Sequence, residues 1–178
     1  YVNLPLLDYL VPAYYILSTA EASSNLARYD GIKYGFRPSD TDSWEGVIKK
    51  SRSEAFGKEV KRRILLGSFV LSEGYYNDYY TQAQKVRRLI KEETTRLLLD
   101  NSFIATPTSP AQPFRIGLKQ VDPTKMYLQD VFTVQSNLTG NPAISIPIKA
   151  GENVGAQFIG ATGKDQKLIS FAKYIQSI

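Results

Sequence analysis

The feature that most constrains the fold is a long helical pattern followed by a short strand. The pattern runs from Gly74 to about Leu99 and carries two Tyr-Tyr pairs near its start. An apolar run, Phe103–Ala105, comes next and ends at Thr106-Pro107. This run predicts a buried strand, because proline cannot continue a hydrogen-bonded ladder. A chain with this order has to pack helices against a sheet.

The segment before the tyrosines predicts three further helices. The first begins at Pro12 and runs to about Tyr29, where Asp30-Gly31 ends it. Its second half, from Ala20 to Ala27, is rich in small side chains, which allow close packing against neighbouring backbone. A loop follows from Ile32 to Asp42. The two later helices are a short one capped by Ser43 and anchored by Trp44 and Val47, running through Ser53, and a buried one from Val60 to Leu71.

The segment after the Thr-Pro strand mixes turns, strands and helices. Residues 108–121 contain prolines and are expected to be irregular. Asp122-Pro123 predicts a helix start, with the cap residue followed by proline at the first helical position, and the helix continues to about Thr133. Two β-rich runs and a final amphipathic helix come next: Ala143–Ile148 and Gly155–Ile159 as an antiparallel pair, and Lys164–Ile175 with Leu168, Phe171 and Ile175 on one face.

This order predicts an α+β or incomplete α/β fold, with helices packed on a few strands of a mixed sheet. We expect a single domain over residues 1–178, helical to about residue 100 and strand-containing from about residue 101. Charged residues are 22% and apolar residues 43% of the chain, which is an ordinary globular balance. The sequence therefore predicts a folded domain with a real core.

The chain contains neither cysteine nor histidine. Disulfides, thiol nucleophiles and thiolate metal sites are excluded, and so are the commonest general base and metal ligand. Acid–base chemistry within the chain would have to use aspartate, glutamate, lysine or tyrosine. No apolar run reaches the roughly 18 residues that a membrane span needs. No targeting peptide is visible at the start, and a cytosolic protein tolerates the lack of cysteine, so we expect a cytoplasmic protein without a metal site.

Basic residues cluster at three places, Lys49-Lys50, Lys61–Arg63 and Lys85–Arg88. A nucleic-acid surface is one interpretation of these clusters. Acidic residues are interleaved with them throughout, and this pattern favours solvated helix faces.

Two charged residues fall among apolar neighbours. Arg63 lies in the middle of the apolar arc of its helix, flanked by Val60 and Val70, and a guanidinium there needs a carboxylate or several other acceptors. Asp130 is flanked at helical spacing by Met126 and Val134. Either each residue has a partner within the protein, which could be the other of the two, or the pair holds the charged ends of a free amino acid. Arginine matches an α-carboxylate and aspartate accepts hydrogen bonds from an α-ammonium group.

Several segments together resemble one family, the amidase-signature enzymes, and within it the glutamine-hydrolysing component of aminoacyl-tRNA amidotransferases. They are Glu21–Gly31 (EASSNLARYDG), Gly74–Pro107, Ser136–Pro147 (SNLTGNPAISIP) and Gly155–Gly160 (GAQFIG). Gln135 stands where the family often has proline, and Asn141 where it often has leucine or phenylalanine. The resemblance covers essentially the whole chain and implies the C-terminal part of the family's α/β/α fold.

The resemblance also implies roles for three residues. By motif, Arg63 in KRRI would bind the carboxylate of glutamine, Asp130 in MYLQD its ammonium group, and Tyr14 in AYYI would lie beside the substrate. The family works through a Ser–cis-Ser–Lys triad in a Gly-Ser-rich stretch. This chain has no such stretch, because its Ser23-Ser24 pair lies in a helical pattern. No catalytic residue is assigned, and we expect the chain to be inactive alone.

In the resembled complexes, the glutamine-derived ammonia converts Glu-tRNA(Gln) to Gln-tRNA(Gln). The resemblance therefore implies amidotransferase subunits B and C as partners, with tRNA bound through the complex and with ATP and Mg²⁺ used by the partner subunit. The chain itself is expected to hold no cofactor. Uncovered strand edges would favour self-association. The alternatives are another amidase-signature hydrolase acting on a different amide, and a non-catalytic interaction module.

Overall fold

The computed structural model describes residues 1–41, 43–117, 122–148 and 154–177. A 3-10 turn, Leu7–Tyr9, precedes the first helix, and a π-helical turn, Tyr76–Thr81, precedes the fourth. Within the described residues the elements are α1 (Leu10–Leu26), α2 (Trp44–Ala55), α3 (Lys58–Val70), α4 (Gln82–Asp100), β1 (Phe103–Pro107), α5 (Pro123–Leu128), α6 (Val134–Thr139), β2 (Ala143–Pro147), β3 (Gly155–Gly160) and α7 (Asp165–Gln176).

Helices combined with a small antiparallel sheet confirm the predicted α+β class. The chain divides into two compact units, one formed by Tyr15–Gln84 and the other by Tyr1–Tyr14 together with Lys85–Ile178. The single domain, helical to about residue 100 and strand-containing after it, stays a prediction. None of the helices in the described part of the chain is both long and apolar enough to cross a membrane.

In the unit Tyr15–Gln84, the second half of α1 packs closely against α3. Gly67 is buried, and a β-carbon there would collide with the backbone carbonyl of Thr19 and lie 2.6 Å from the Cβ of Ser23. The hydroxyls of Ser23 and Ser68 share a hydrogen bond of 3.0 Å. The prediction that small residues of this helix permit close packing is confirmed.

Helix α2 begins as predicted, because the Ser43 hydroxyl accepts a hydrogen bond from the amide of Gly46 at 3.1 Å. Val47 is buried, but Trp44 is 63% exposed, with the Arg37 guanidinium 5.4 Å from its ring centroid. The expectation that Trp44 anchors this helix is therefore wrong. Trp44 is the first residue of α2, where its side chain makes this cation–π contact instead.

The loop before α2 is fastened to that helix by charged side chains. The Arg52 guanidinium donates to the carbonyls of Leu26 and Tyr29 at 2.7 and 3.1 Å. Lys50 pairs with Asp40, and the hydrogen bond from its ammonium lowers the pKa of the Asp40 carboxyl. Within the predicted loop, Asp40 is thus joined to α2.

Helix α3 is more exposed than its sequence predicts. Gly67 and Val70 are buried, whereas Leu65 is 71% exposed and Leu66 and Phe69 are also exposed. The expectation of a buried helix is wrong, because α3 meets α1 along its glycine edge and leaves other apolar side chains in solvent.

The tyrosine-rich segment is helical over the predicted length, but it begins with the π-helical turn before α4. Its rings contact one another at helical spacing: Tyr76 and Tyr80 lie 5.1 Å apart between centroids. Tyr75 lies 4.3 Å from Phe69 of α3, and the Tyr80 hydroxyl accepts a hydrogen bond from Gln84. These tyrosines therefore serve packing and hydrogen bonding within the helical segment.

In the other unit, the sheet described by the structure has the order β1-β3-β2, with both pairs antiparallel. The predicted pairing of the two later strands is confirmed. The expectation that β1 is buried is wrong, because it is an edge strand of this sheet with only Ile104 buried. Self-association through strand edges stays a prediction.

Helix α7 covers one face of the sheet. Leu168 and Ala172 are buried, and the Phe171 ring stacks on Phe103 at 4.5 Å and meets Phe158 edge-on at 5.0 Å. Ile175, which the sequence predicts on the same face as Leu168 and Phe171, is exposed. It lies near the C-terminal end of the helix.

The region after Asp122 differs most from the prediction. Asp122 caps α5 as expected, since its carboxylate accepts from the amide of Thr124 at 2.9 Å. The helix then ends at Leu128 and not at Thr133, and a second short helix, α6, follows. The irregular path predicted for residues 108–121 is confirmed through residue 117, and residues 118–121 lie outside the described residues.

Gln135 and Asn141, the two residues that depart from the family pattern, both form hydrogen bonds through buried side chains. The Gln135 amide donates to the hydroxyl of Thr94 at 2.9 Å, which joins α6 to α4. The Asn141 amide donates to the carbonyl of Gly160 at 2.8 Å, which joins the turn before β2 to the end of β3.

Replacing the glycine at the α1–α3 contact should destabilise the chain. We expect Gly67→Ala to lower the free energy of unfolding by about 1–3 kcal/mol, because the added methyl has no room beside the Thr19 carbonyl. The control is Leu65→Ala on the exposed part of the same helix, with an expected change of about 0.5 kcal/mol or less. Urea denaturation measures both. Equal effects of the two variants would show that the helices do not approach at Gly67.

Candidate functional site

Arg63 lies on α3, in the unit Tyr15–Gln84, with its side chain 36% exposed. Its Nε donates to Glu59 Oε1 at 3.1 Å, one helical turn earlier. The guanidinium carbon also lies 5.7 Å from the centroid of the Tyr15 ring. The carboxylate partner that the sequence requires is therefore present, and it is supplied by the same helix.

Glu59 holds two arginines. Its second oxygen, Oε2, accepts from Arg62 at 2.6 Å, so one carboxylate orients both guanidinium groups on the surface of α3. Glu59 therefore fixes the direction of the Arg63 guanidinium along the helix. A carboxylate ligand of an amino acid is the kind of anion that such a guanidinium binds.

Asp130 belongs to the other unit and is half-buried. The sequence predicts that Asp130 lies on a helix face, and this prediction is wrong. Helix α5 ends at Leu128, two residues before Asp130. The Asp130 amide donates to the Tyr127 carbonyl at 3.1 Å, and its carbonyl accepts from the amides of Thr133 and Val134, each at 3.0 Å. The backbone of Asp130 is therefore held at the junction between α5 and α6.

The segment 129–133, called here the Asp130 turn, is bonded through side-chain amides to β3 and to a residue that follows β1. Gln157 of β3 donates to the carbonyl of Phe132 at 2.8 Å. Gln129 accepts from the hydroxyl of Ser109 at 3.1 Å. Sequence reasoning missed Gln157, although a polar amide inside the strand GAQFIG is a signal, because a buried amide needs partners.

Tyr14 is half-buried on α1 and belongs to the same unit as Asp130. Its neighbour in the sequence, Tyr15, belongs to the unit of Arg63 and provides the ring beneath the guanidinium. The structure thus assigns Tyr14 and Asp130 to one unit and Arg63 to the other.

The described residues contain no group of three or more acidic side chains that could hold a metal ion. Ser23 lies within α1, where its hydroxyl serves the contact with Ser68 of α3. The chemistry available from Arg63, Asp130 and Tyr14 is binding and orientation: a cation for an anionic group, a carboxylate for a cationic group, and an aromatic ring with a hydroxyl.

A model of the amidase family, described as Amidase, matches residues 1–169 of the chain. The A-subunit of glutamyl-tRNA(Gln) amidotransferase from Sulfolobus acidocaldarius is 49% identical over 180 residues, which span 100% of this chain and 38% of that protein. The protein of the same name from Clostridium botulinum is 50% identical over 179 residues, covering 99% of this chain and 37% of that protein. The chain thus spans less than two fifths of the length of these curated relatives.

Two solved structures also match over nearly the whole chain. The crystal structure of the glutamyl-tRNA(Gln) amidotransferase A-subunit from Thermotoga maritima matches with a TM-score of 0.67 and 38% identity, over 99% of this chain and 34% of that chain. A structure described as an amidase matches with a TM-score of 0.69 at 20% identity, over 97% of this chain and 36% of that chain. At that identity the second match shows the fold alone.

The Arg63 ion pair should contribute little to stability. We expect Arg63→Ala to lower the free energy of unfolding by less than about 1 kcal/mol, because the Arg63 and Glu59 side chains are 36% and 45% exposed and solvent screens their ion pair. Arg62→Ala, which removes the other guanidinium from Glu59, should behave alike. Urea denaturation of the chain measures both. A loss of several kcal/mol for Arg63 alone would indicate a buried structural pair and would argue against a binding role.

Proposed function

The chain belongs to the amidase family, whose model matches residues 1–169, and on this basis we propose that it forms part of the glutaminase component of an aminoacyl-tRNA amidotransferase. The observation that carries the proposal is the identity of 49–50% over nearly the whole chain with A-subunit proteins from an archaeon and a bacterium. The structural match to an amidase at 20% identity supports the fold and says nothing of the substrate.

We propose that the chain recognises the amino-acid end of glutamine. Arg63 binds the α-carboxylate, for which a guanidinium oriented by Glu59 is suited. Asp130 binds the α-ammonium group, and Tyr14 lies beside the substrate. The support for these roles is the motif resemblance of their segments together with the backbone bonds that fix Asp130 in its turn.

These groups bind the end of glutamine that does not react. In the reaction, the side-chain amide of glutamine is hydrolysed to glutamate and ammonia, and the ammonia converts Glu-tRNA(Gln) to Gln-tRNA(Gln). Residues that hold the distant α-carboxylate and α-ammonium groups contribute binding energy and align the amide. Their removal should therefore act mainly through the KM for glutamine.

The remaining parts of the proposed activity belong to partners. Amidotransferase subunits B and C complete the assembly, ATP and Mg²⁺ act in the partner subunit, and tRNA is bound through the complex. An enzyme of translation of this kind works in the cytoplasm. The 178-residue chain supplies no nucleophile in this scheme and is expected to be inactive by itself.

Replacing Arg63 separates glutamine recognition from amidation. In the full-length protein assembled with its partners, we expect Arg63→Ala to raise the KM for glutamine by about 10- to 100-fold. This is the effect expected when one charge-assisted hydrogen bond to the substrate is lost. Amidation driven by added ammonia should persist, because ammonia bypasses the glutaminase site. Steady-state kinetics with each nitrogen donor measure both.

Arg62→Ala is the matched control, since Arg62 pairs with the same Glu59 carboxylate. Its KM for glutamine should remain near that of the unmodified enzyme. Equal loss of glutamine-driven and ammonia-driven amidation in Arg63→Ala would contradict the recognition role.

Replacing Asp130 tests the ammonium end of the substrate. Asp130→Asn keeps the shape of the side chain and removes its charge, which should weaken glutamine binding by about 1.5–3 kcal/mol. The matched control is Asp122→Asn, because asparagine also caps a helix and the position is exposed. An unchanged KM for glutamine in Asp130→Asn would rule out the assignment, and it would favour an amidase that acts on an amide lacking an ammonium group.

A further inference from the structure

A buried amide lies behind the Asp130 turn. Gln157 occupies the middle of β3 and is only 4% exposed. Its Nε2 donates to the carbonyl of Phe132 at 2.8 Å and to the hydroxyl of Thr106 at 3.2 Å. Thr106 is also its direct cross-strand partner on β1. Both hydrogens of one side-chain amide thus have acceptors, which fixes the direction of the group.

The contact with Phe132 joins a central strand to a turn that lies outside the regular elements. β3 is hydrogen-bonded on both sides, by β1 and β2. The Asp130 turn is neither helix nor strand, and its local amide bonds run between residues three or four positions apart. A side-chain amide that reaches from a strand to such a turn restricts the turn in a way that local bonds do not.

The turn is therefore held at two points. The carbonyl of Asp130 accepts from the amide of Val134, whose side chain is buried in α6. Two residues after Asp130, the Phe132 carbonyl accepts from Gln157. Fixing a binding group before the ligand arrives lowers the ordering cost of binding.

We propose that Gln157 is a positioning residue for Asp130: its amide holds the Asp130 turn against β3 and so fixes the carboxylate in the position that binds the ammonium group of the substrate. The inference rests on the proposed function. In this scheme Gln157 acts through the Asp130 turn, so its effect falls on substrate binding.

Asn141 provides a matched control within the same sheet. It is also a buried amide, and its Nδ2 donates to the Gly160 carbonyl at 2.8 Å, the same distance as in the Gln157 bond. Its bond ties the turn before β2 to the end of β3 and does not involve the Asp130 turn. A purely structural amide should behave like Asn141.

The experiment compares variants of the full-length protein assembled with its partners. In Gln157→Met, a side chain of similar size lacks both donors, and we expect the KM for glutamine to rise about tenfold, with ammonia-driven amidation unchanged. Asn141→Leu should lower the melting temperature and leave the KM for glutamine within about twofold. A Gln157→Met enzyme that loses melting temperature but keeps its KM would overturn the inference.

Gln157→Asn keeps the test decisive if the methionine variant does not fold. The shorter side chain retains the amide but withdraws it by one methylene, so it should also raise the KM. Combined with Asp130→Asn, it should add no further increase, because both changes act on the same carboxylate. Additive effects on the KM would overturn the inference.

The outcomes also separate this inference from the proposed function. A normal KM for glutamine in Asp130→Asn alone would remove the proposed function and the inference with it. A raised KM in Asp130→Asn together with normal values in both Gln157 variants would overturn only the role of Gln157.

Discussion

The unit that carries Asp130 depends on strand β3. Both other strands of the described sheet pair with it, and Ile159 within it is fully buried. Two side-chain amides add to these backbone bonds: Gln157, within β3, binds the Asp130 turn, and Asn141 binds the carbonyl at the end of the strand. Buried amides of this kind are stable only when their partners are in place, so the strand and the turn are ordered together.

Local chemistry made much of the fold predictable from the sequence. Ser43 and Asp122 cap helices because their side chains accept amide hydrogens that the first turn leaves unpaired. The β-rich runs around residues 143–160 pair because a short connection joins them. These rules need no knowledge of the rest of the chain.

The incorrect predictions concern burial and helix ends, which depend on distant contacts. Apolar residues all around α3 predict burial, but Leu65 is exposed because neighbouring elements in its unit decide which face is covered. The helix after Asp122 stops at Leu128 although the apolar spacing continues. Beyond its end, the Phe132 carbonyl accepts a hydrogen bond from Gln157, which lies on a strand far along the chain. Spacing alone identified Arg63 as a charge in need of a carboxylate, but it did not reveal that Glu59 on the same helix supplies it.

The π-helical turn Tyr76–Thr81 stands where the surroundings of the long helical segment change. Tyr79 within the turn is exposed, whereas Ala83, four positions later in α4, is buried. Side chains at this spacing lie on the same side of a regular α-helix. The π-helical turn therefore marks the passage from an exposed aromatic surface to a packed surface within one helical segment, Tyr76–Asp100.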